Sequence, residues 1–130
     1  MLEKNRGKVI YFDFWARWCP PCLAEMEPLK QLRSKFSTDD LIIYSICVSE
    51  PKEQWEECLN EYSLKNRGIE CVHVTDYLGI DNYQKIRKQW KIDRMPYYVL
   101  INRKGQIIDF GTAARPSNPQ LVSRIEEAVK

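Results

Sequence analysis

Three observations predict an α/β fold built on a mixed central sheet with helices on both faces. Apolar, strand-like runs alternate with helical stripes; two early β-α-β units precede a hairpin signal; and an amphipathic helix closes the chain. The predicted order is β-α-β-α-β-α-β-β-α.

Lys8 to Trp15 is apolar and aromatic and reads as a buried strand. After Pro20 and Pro21, Leu23, Met26, Leu29, Leu32 and Phe36 recur at spacings of three and four, the stripe of a helix packed on a core. Pro28 lies within that stripe and is expected to kink the helix. Leu41 to Val48 is continuous and β-branched, as a central parallel strand should be.

Ser49-Glu50-Pro51 then reads as a helix start, with Trp55, Cys58, Leu59 and Tyr62 on the buried face. A short strand is expected at Cys71 to Val74, its more polar face carrying Cys71, His73 and Thr75, with His73 turned to solvent. Asp81-Asn82-Tyr83-Gln84 resembles a capping box that opens a helix with Tyr83, Ile86 and Trp90 on one side. Tyr97 to Ile101 and Gln106 to Phe110 flank Asn102-Arg103-Lys104-Gly105, a hairpin with glycine at the position needing positive φ. Ser117-Asn118-Pro119-Gln120 is a second capping-box pattern, followed by Leu121, Val122, Ile125, Ala128 and Val129 at helical spacing.

With 130 residues the chain fits one domain spanning 1–130, and it is large enough to bury a core without staples. Its 44% hydrophobic and 29% charged residues exclude a disordered chain. Twenty Lys and Arg against eighteen Asp and Glu give +2, too balanced to suggest a nucleic-acid partner. No apolar run approaches a membrane span, and the first residues carry no signal-peptide pattern.

Of the five cysteines, only Cys19 and Cys22 are close in sequence. One CxxC and a single histidine, His73, do not make a zinc ribbon, so no metal or organic cofactor is expected. Cys47 and Cys58 lie on apolar faces and read as buried free thiols; a Cys58–Cys71 bridge is conceivable but is the lesser reading. Trp18-Cys19-Pro20-Pro21-Cys22 falls where the first strand hands over to the first helix. There, unpaired backbone N–H groups and the helix dipole favour a Cys19 thiolate. Cys22, one turn on, can close a small ring with it and resolve a mixed disulfide. The two prolines supply no N–H, which leaves the Cys22 amide as the local donor to the Cys19 sulfur.

Phe12-Asp13-Phe14-Trp15-Ala16-Arg17-Trp18-Cys19-Pro20-Pro21-Cys22 resembles the active-site segment of the thioredoxin superfamily. Leu23-Ala24-Glu25-Met26-Glu27, a strand-helix insert at about residues 51–74, and the Tyr97–Phe110 hairpin resemble the TlpA/ResA-like branch. The resemblance covers nearly the whole chain. It implies a thioredoxin fold with a strand-helix insert, and a thiol-disulfide oxidoreductase in which Cys19 is the nucleophile and Cys22 the resolving thiol. Asp13 matches the buried acid that moves the resolving thiol's proton, and Glu25 a glutamate that tunes the pair. Pro96 matches the cis-proline facing the disulfide, preceded by Met95 where thioredoxins usually carry Thr or Ile. In that family the residue before the proline pairs with an extended substrate segment. Trp18, Met95 and Pro96 are therefore the expected substrate contacts, and Tyr97 and Tyr98 either line that groove or alternate with one buried.

The partners implied are protein or peptide disulfides and an upstream thiol-disulfide electron donor, served by a monomer. Reduction is the favoured direction, because Asp13 and Glu25 place negative charge near the pair. TlpA-like domains usually carry an extra N-terminal hairpin before this first strand. The pattern fits the C-terminal part of a longer exported protein, periplasmic or membrane-tethered; a short cytoplasmic thioredoxin is the alternative. A peptide-binding module keeping Cys19–Cys22 as a structural disulfide is the competing functional reading. A peroxidase of related fold would place its cysteine after Pro-x-x-x-Thr, a segment this chain lacks.

Overall fold

The computed structural model describes residues 5–48, 50–77 and 83–130. Five strands form one sheet in the order β3-β2-β1-β4-β5: β1 (Val9–Trp15), β2 (Leu41–Cys47), β3 (Ile69–His73), β4 (Tyr97–Ile101) and β5 (Ile107–Gly111). The first three are mutually parallel and β4 and β5 run against their neighbours, so the sheet is mixed. β1 is central and buried along its whole length, which is why its sequence is an unbroken apolar and aromatic run around a single Asp. Each large side chain so buried contributes on the order of 1.5–3 kcal/mol.

Helices α1 (Pro20–Ala24), α2 (Met26–Lys35), α3 (Lys52–Glu61), α4 (Val74–Tyr77), α5 (Tyr83–Trp90) and α6 (Pro119–Ala128) lie between and after the strands. The stripe from Leu23 to Phe36, expected as one kinked helix, is two helices broken at Glu25. Pro28 accounts for the break. It cannot donate to the Ala24 carbonyl and its ring crowds that carbonyl, so the helix restarts with Pro28 in its first turn, where no N–H is needed.

Two β-α-β crossovers carry β1 to β2 and β2 to β3. Lys30 of α2 donates to the Tyr62 carbonyl just past α3 (3.0 Å), and Trp55 of α3 sits edge-on to His73 at 5.4 Å between ring centres. Trp90 of α5 packs against Phe12 and Phe14, with ring centres 5.2 and 5.0 Å apart, on the other face of β1. Both faces of the sheet are thus covered, as expected.

Three local expectations need correction. The edge strand runs Ile69–His73, two residues earlier than predicted at its start, and Val74 opens a short helix instead of ending the strand. His73 is buried at 4% exposure and does not face solvent. α3 covers it, its Nδ1 pairs with Thr75 Oγ1 at 2.7 Å, and its Nε2 meets the Glu50 carbonyl. The final helix is capped by Asn118 and not Ser117: the Asn118 side chain accepts from the Gln120 N–H, with Pro119 in the first turn. Ser49 and the first half of the Asp81–Gln84 pattern lie outside the described residues.

Candidate active site

The candidate site lies where β1 ends. Trp15 closes the strand, the Cys19 N–H donates to the Ala16 carbonyl (3.2 Å), and Cys19 is the N-cap of α1. Cys19 and Cys22 are joined in a disulfide, 4% and 2% exposed. The Cys22 N–H points at Cys19 Sγ from 3.3 Å. Pro20 and Pro21 provide no competing amide, and this donor is the one that would stabilise a Cys19 thiolate after reduction. Cys58 and Cys71 are not joined in a disulfide, so no Cys58–Cys71 bridge forms. Burial pushes the Cys58 thiol up, and burial with the charge of Asp13 pushes Cys71 to about 11.

Asp13 stands two residues before the end of β1 and is 4% exposed. Burial raises its carboxyl from 3.8 to about 7. The hydroxyl of Ser45, donating to Oδ2 at 3.2 Å, lowers it, and the charge of Glu25 raises it. Register explains the pairing: Asp13 lies directly across from Ser45 on β2 and from Tyr98 on β4, while Ser45 faces Cys71 on β3. Tyr98, Asp13, Ser45 and Cys71 therefore form one row across the sheet, on one face. The Tyr98 hydroxyl in that row is buried without a hydrogen-bond partner among the described residues. Tyr11, stacked on Tyr98 at 5.7 Å, donates to the Ala114 carbonyl at 2.6 Å.

Glu25 occupies the break between α1 and α2. Its N–H donates to the Cys22 carbonyl (3.2 Å), and its carboxylate accepts from the Ser117 N–H (2.9 Å) and hydroxyl (2.8 Å). The residue expected to tune the cysteines is thus tied to the loop before α6. Met95–Pro96 is a cis peptide bond. Phe14 opposite Tyr97 in the register puts Pro96 level with Trp15, at the sheet end from which the cysteine turn springs. The Pro96 carbonyl accepts from Thr112 Oγ1 (2.8 Å), Met95 packs half-buried against the core, and Trp18 is 54% exposed. Tyr97 and Tyr98 are both buried: the Tyr97 ring lies against Phe14 and the Tyr98 ring stacks on Tyr11, on opposite faces of β4. Ser45 and Ser117 were not singled out as site residues by the sequence, which carries no local motif for either; Tyr98 was read only as a residue that lines the substrate groove or is buried by alternation. Among the described residues no cluster of His, Cys, Asp or Glu could hold a metal ion.

The Redoxin family model matches residues 1–129. Thiol-disulfide oxidoreductase ResA of Bacillus thuringiensis is 26% identical over 108 residues, 83% of this chain and 57% of that protein, so the chain spans little more than half its length. The solution structure of a candidate thiol-disulfide oxidoreductase from Bacteroides vulgatus is 31% identical, with a TM-score of 0.75 over 97% of this chain and 76% of that one. A crystal structure assigned to a thiol:disulfide interchange protein DsbE from Chlorobium tepidum, 21% identical, shares the fold with a TM-score of 0.78 over 99% of this chain and 85% of the other. With the cysteine pair at the strand-to-helix junction and this five-stranded sheet, the chain belongs to the Redoxin family, in the TlpA/ResA-like branch of the thioredoxin superfamily.

Proposed function

We propose that this domain exchanges the disulfides of protein or peptide substrates through Cys19 and Cys22. The observation that carries the reading is the Cys19–Cys22 bond at the start of α1, with a buried acid of pKa about 7 on the strand that leads into it. In the reducing direction the Cys19 thiolate attacks one substrate sulfur, forms a mixed disulfide and expels the other sulfur as a thiolate. Cys22, once deprotonated, attacks Cys19 Sγ, restores the Cys19–Cys22 bond and releases the second substrate thiolate. Two electrons pass from the dithiol to the substrate.

Asp13 is the proton acceptor for Cys22, suited to it because a carboxyl poised near neutrality can both take and return a proton. Glu25 tunes the pair from the helix break, and Trp18, Met95 and Pro96 contact the substrate segment. Reduction is the favoured direction, because negative charge at Asp13 and Glu25 opposes the Cys19 thiolate that a strong oxidant needs. An upstream dithiol is then required to re-reduce the pair. We place the domain outside the cytoplasm, periplasmic or tethered to a membrane, on its branch of the superfamily. No helix among the described residues is long and apolar enough to cross a membrane.

Replacing Cys19 with Ser should abolish turnover of a peptide disulfide by the reduced domain, and Cys22→Ser should accumulate the mixed disulfide, seen as a mass increase. Unchanged turnover in Cys19→Ser would leave only a peptide-binding module with a structural disulfide.

A further inference from the structure

Residues 83–94 carry five Lys or Arg (Lys85, Arg87, Lys88, Lys91, Arg94) and one acid, Asp93. That is +4 in a chain of net +2, so the remaining residues sum to −2. The positive charge is concentrated on one segment, the one that leads directly into Met95–Pro96.

The fold turns part of that charge, Lys91 and Arg94, toward a groove. α5 buries Ile86 and lays Trp90 on Phe12 and Phe14, which leaves its basic residues on the outside. Past its end, Lys91, Asp93 and Arg94 line one side; Phe110 to Ala113 and Arg115 line the other, with Tyr97 between them, so three cations and one acid give the lining a net +2. Phe110, on edge strand β5, is 64% exposed beside these cations. Among the described residues the side chains of Lys91, Arg94 and Arg115 form no ion pair and no hydrogen bond. Thr112, part of the groove, donates to the Pro96 carbonyl, so the groove adjoins the Met95–Pro96 loop proposed above to contact the substrate.

We infer that this groove binds an acidic, extended segment of the disulfide-bearing partner, its carboxylates meeting Arg94, Arg115 and Lys91 and an apolar side chain lying on Phe110. The inference rests on the exchange reaction proposed above and names the substrate class that reaction takes. Guanidinium forks suit carboxylates, an exposed aromatic ring suits an aliphatic or aromatic neighbour, and complementary charge raises the encounter rate. A concave strip running on from Pro96 fits a peptide chain; an anionic bilayer would require a broad flat face.

The test uses two peptides with the same disulfide, one flanked by Asp and Glu and one by Lys, reduced by the dithiol form of the domain. The acidic peptide should show about a tenfold higher kcat/KM at 20 mM salt, from a few partly exposed pairs acting together. The preference should shrink toward unity at 500 mM salt. In the R94E/R115E variant it should vanish or reverse; the salt titration on the native protein serves if that variant does not fold. Equal rates on both peptides at both salts overturn the groove and leave the exchange reaction standing. No turnover of either peptide overturns both. Binding of the native protein to phosphatidylglycerol vesicles, lost in R94E/R115E while the peptides react equally, overturns the peptide in favour of a membrane.

Discussion

Ser45 and Asp13 stand directly opposite each other on neighbouring parallel strands, and the Ser45 hydroxyl donates to Asp13 Oδ2 at 3.2 Å. This is the only polar side-chain partner of Asp13 among the described residues, and it opposes the much larger effect of burial. Ser45→Ala should raise the Asp13 carboxyl further, by roughly half to one pH unit for a hydrogen bond of about 1 kcal/mol. A carboxyl-carbon NMR titration checks it; a midpoint that stays put or falls would show that the hydroxyl does not stabilise the charged form.

Asp13 also makes stability depend on pH. Its folded value, about 7, lies above the unfolded 3.8, so between these limits the native state holds a proton that the unfolded state has lost. Its contribution is fully present below about pH 4 and is lost as pH rises through 7. Asp13→Asn, which cannot ionise, should therefore stabilise the oxidised protein at pH 8 by up to about 4 kcal/mol, with a much smaller effect at pH 4. Urea unfolding of the two proteins at both pH values measures the difference. In the reduced protein the same variant should slow release of the mixed disulfide, since the proposed mechanism has Asp13 take the proton of Cys22.

The clasp between Glu25 and Ser117 should be felt at both of its ends. Ser117→Ala keeps the backbone donor and removes the hydroxyl, at a cost of about 1 kcal/mol because the site is partly exposed. Glu25→Gln should shift the pH dependence of Cys19 alkylation downward, as a negative neighbour is removed. Iodoacetamide rates across pH 5–9 report that shift, and unfolding midpoints report the first effect.

Thiol reactivity should be sharply divided. In the reduced native protein at pH 7, Cys19 should alkylate quickly while Cys47, Cys58 and Cys71 stay unmodified. Cys47 and Cys58 are fully buried, and the Cys71 thiol is pushed to about 11. Peptide mass mapping after a brief pulse would show label on Cys71 if that assessment of its surroundings were wrong.

Tyr98→Phe should be neutral or slightly stabilising. The hydroxyl it removes is buried without a partner among the described residues, and the ring that stacks on Tyr11 remains. A loss above about 1 kcal/mol in thermal unfolding would reveal a bound water satisfying that oxygen.

The sequence was most legible where a pattern is local. The run into Trp15, the CxxC at its end and the helical stripe after it each announce themselves within a dozen residues. Ser45 was not readable because it meets Asp13 through strand register, 32 residues away. The bond from Ser117 to Glu25 spans 92 residues, and the Ser-x-x-Gln pattern invited a capping role that Asn118 fills. His73 misled for a different reason. Alternation on a short edge strand suggests a wet face, but α3 folds over it, and two hydrogen bonds let a polar ring be buried at little cost. The break at Glu25 was half visible: Pro28 marked a disturbance, and steric conflict with the Ala24 carbonyl decides where it falls.

The central position of β1 separates two kinds of motion. It is hydrogen-bonded on both sides and buried throughout, so its amide hydrogens should exchange only on global unfolding, whereas the turn that follows it is held by a few short-range bonds. Asp13 is fixed in the slow part, and Cys19 and Cys22 project from its border into the fast part. On the mechanism proposed above, the acid keeps its packing in the sheet while the sulfurs past the strand end rearrange.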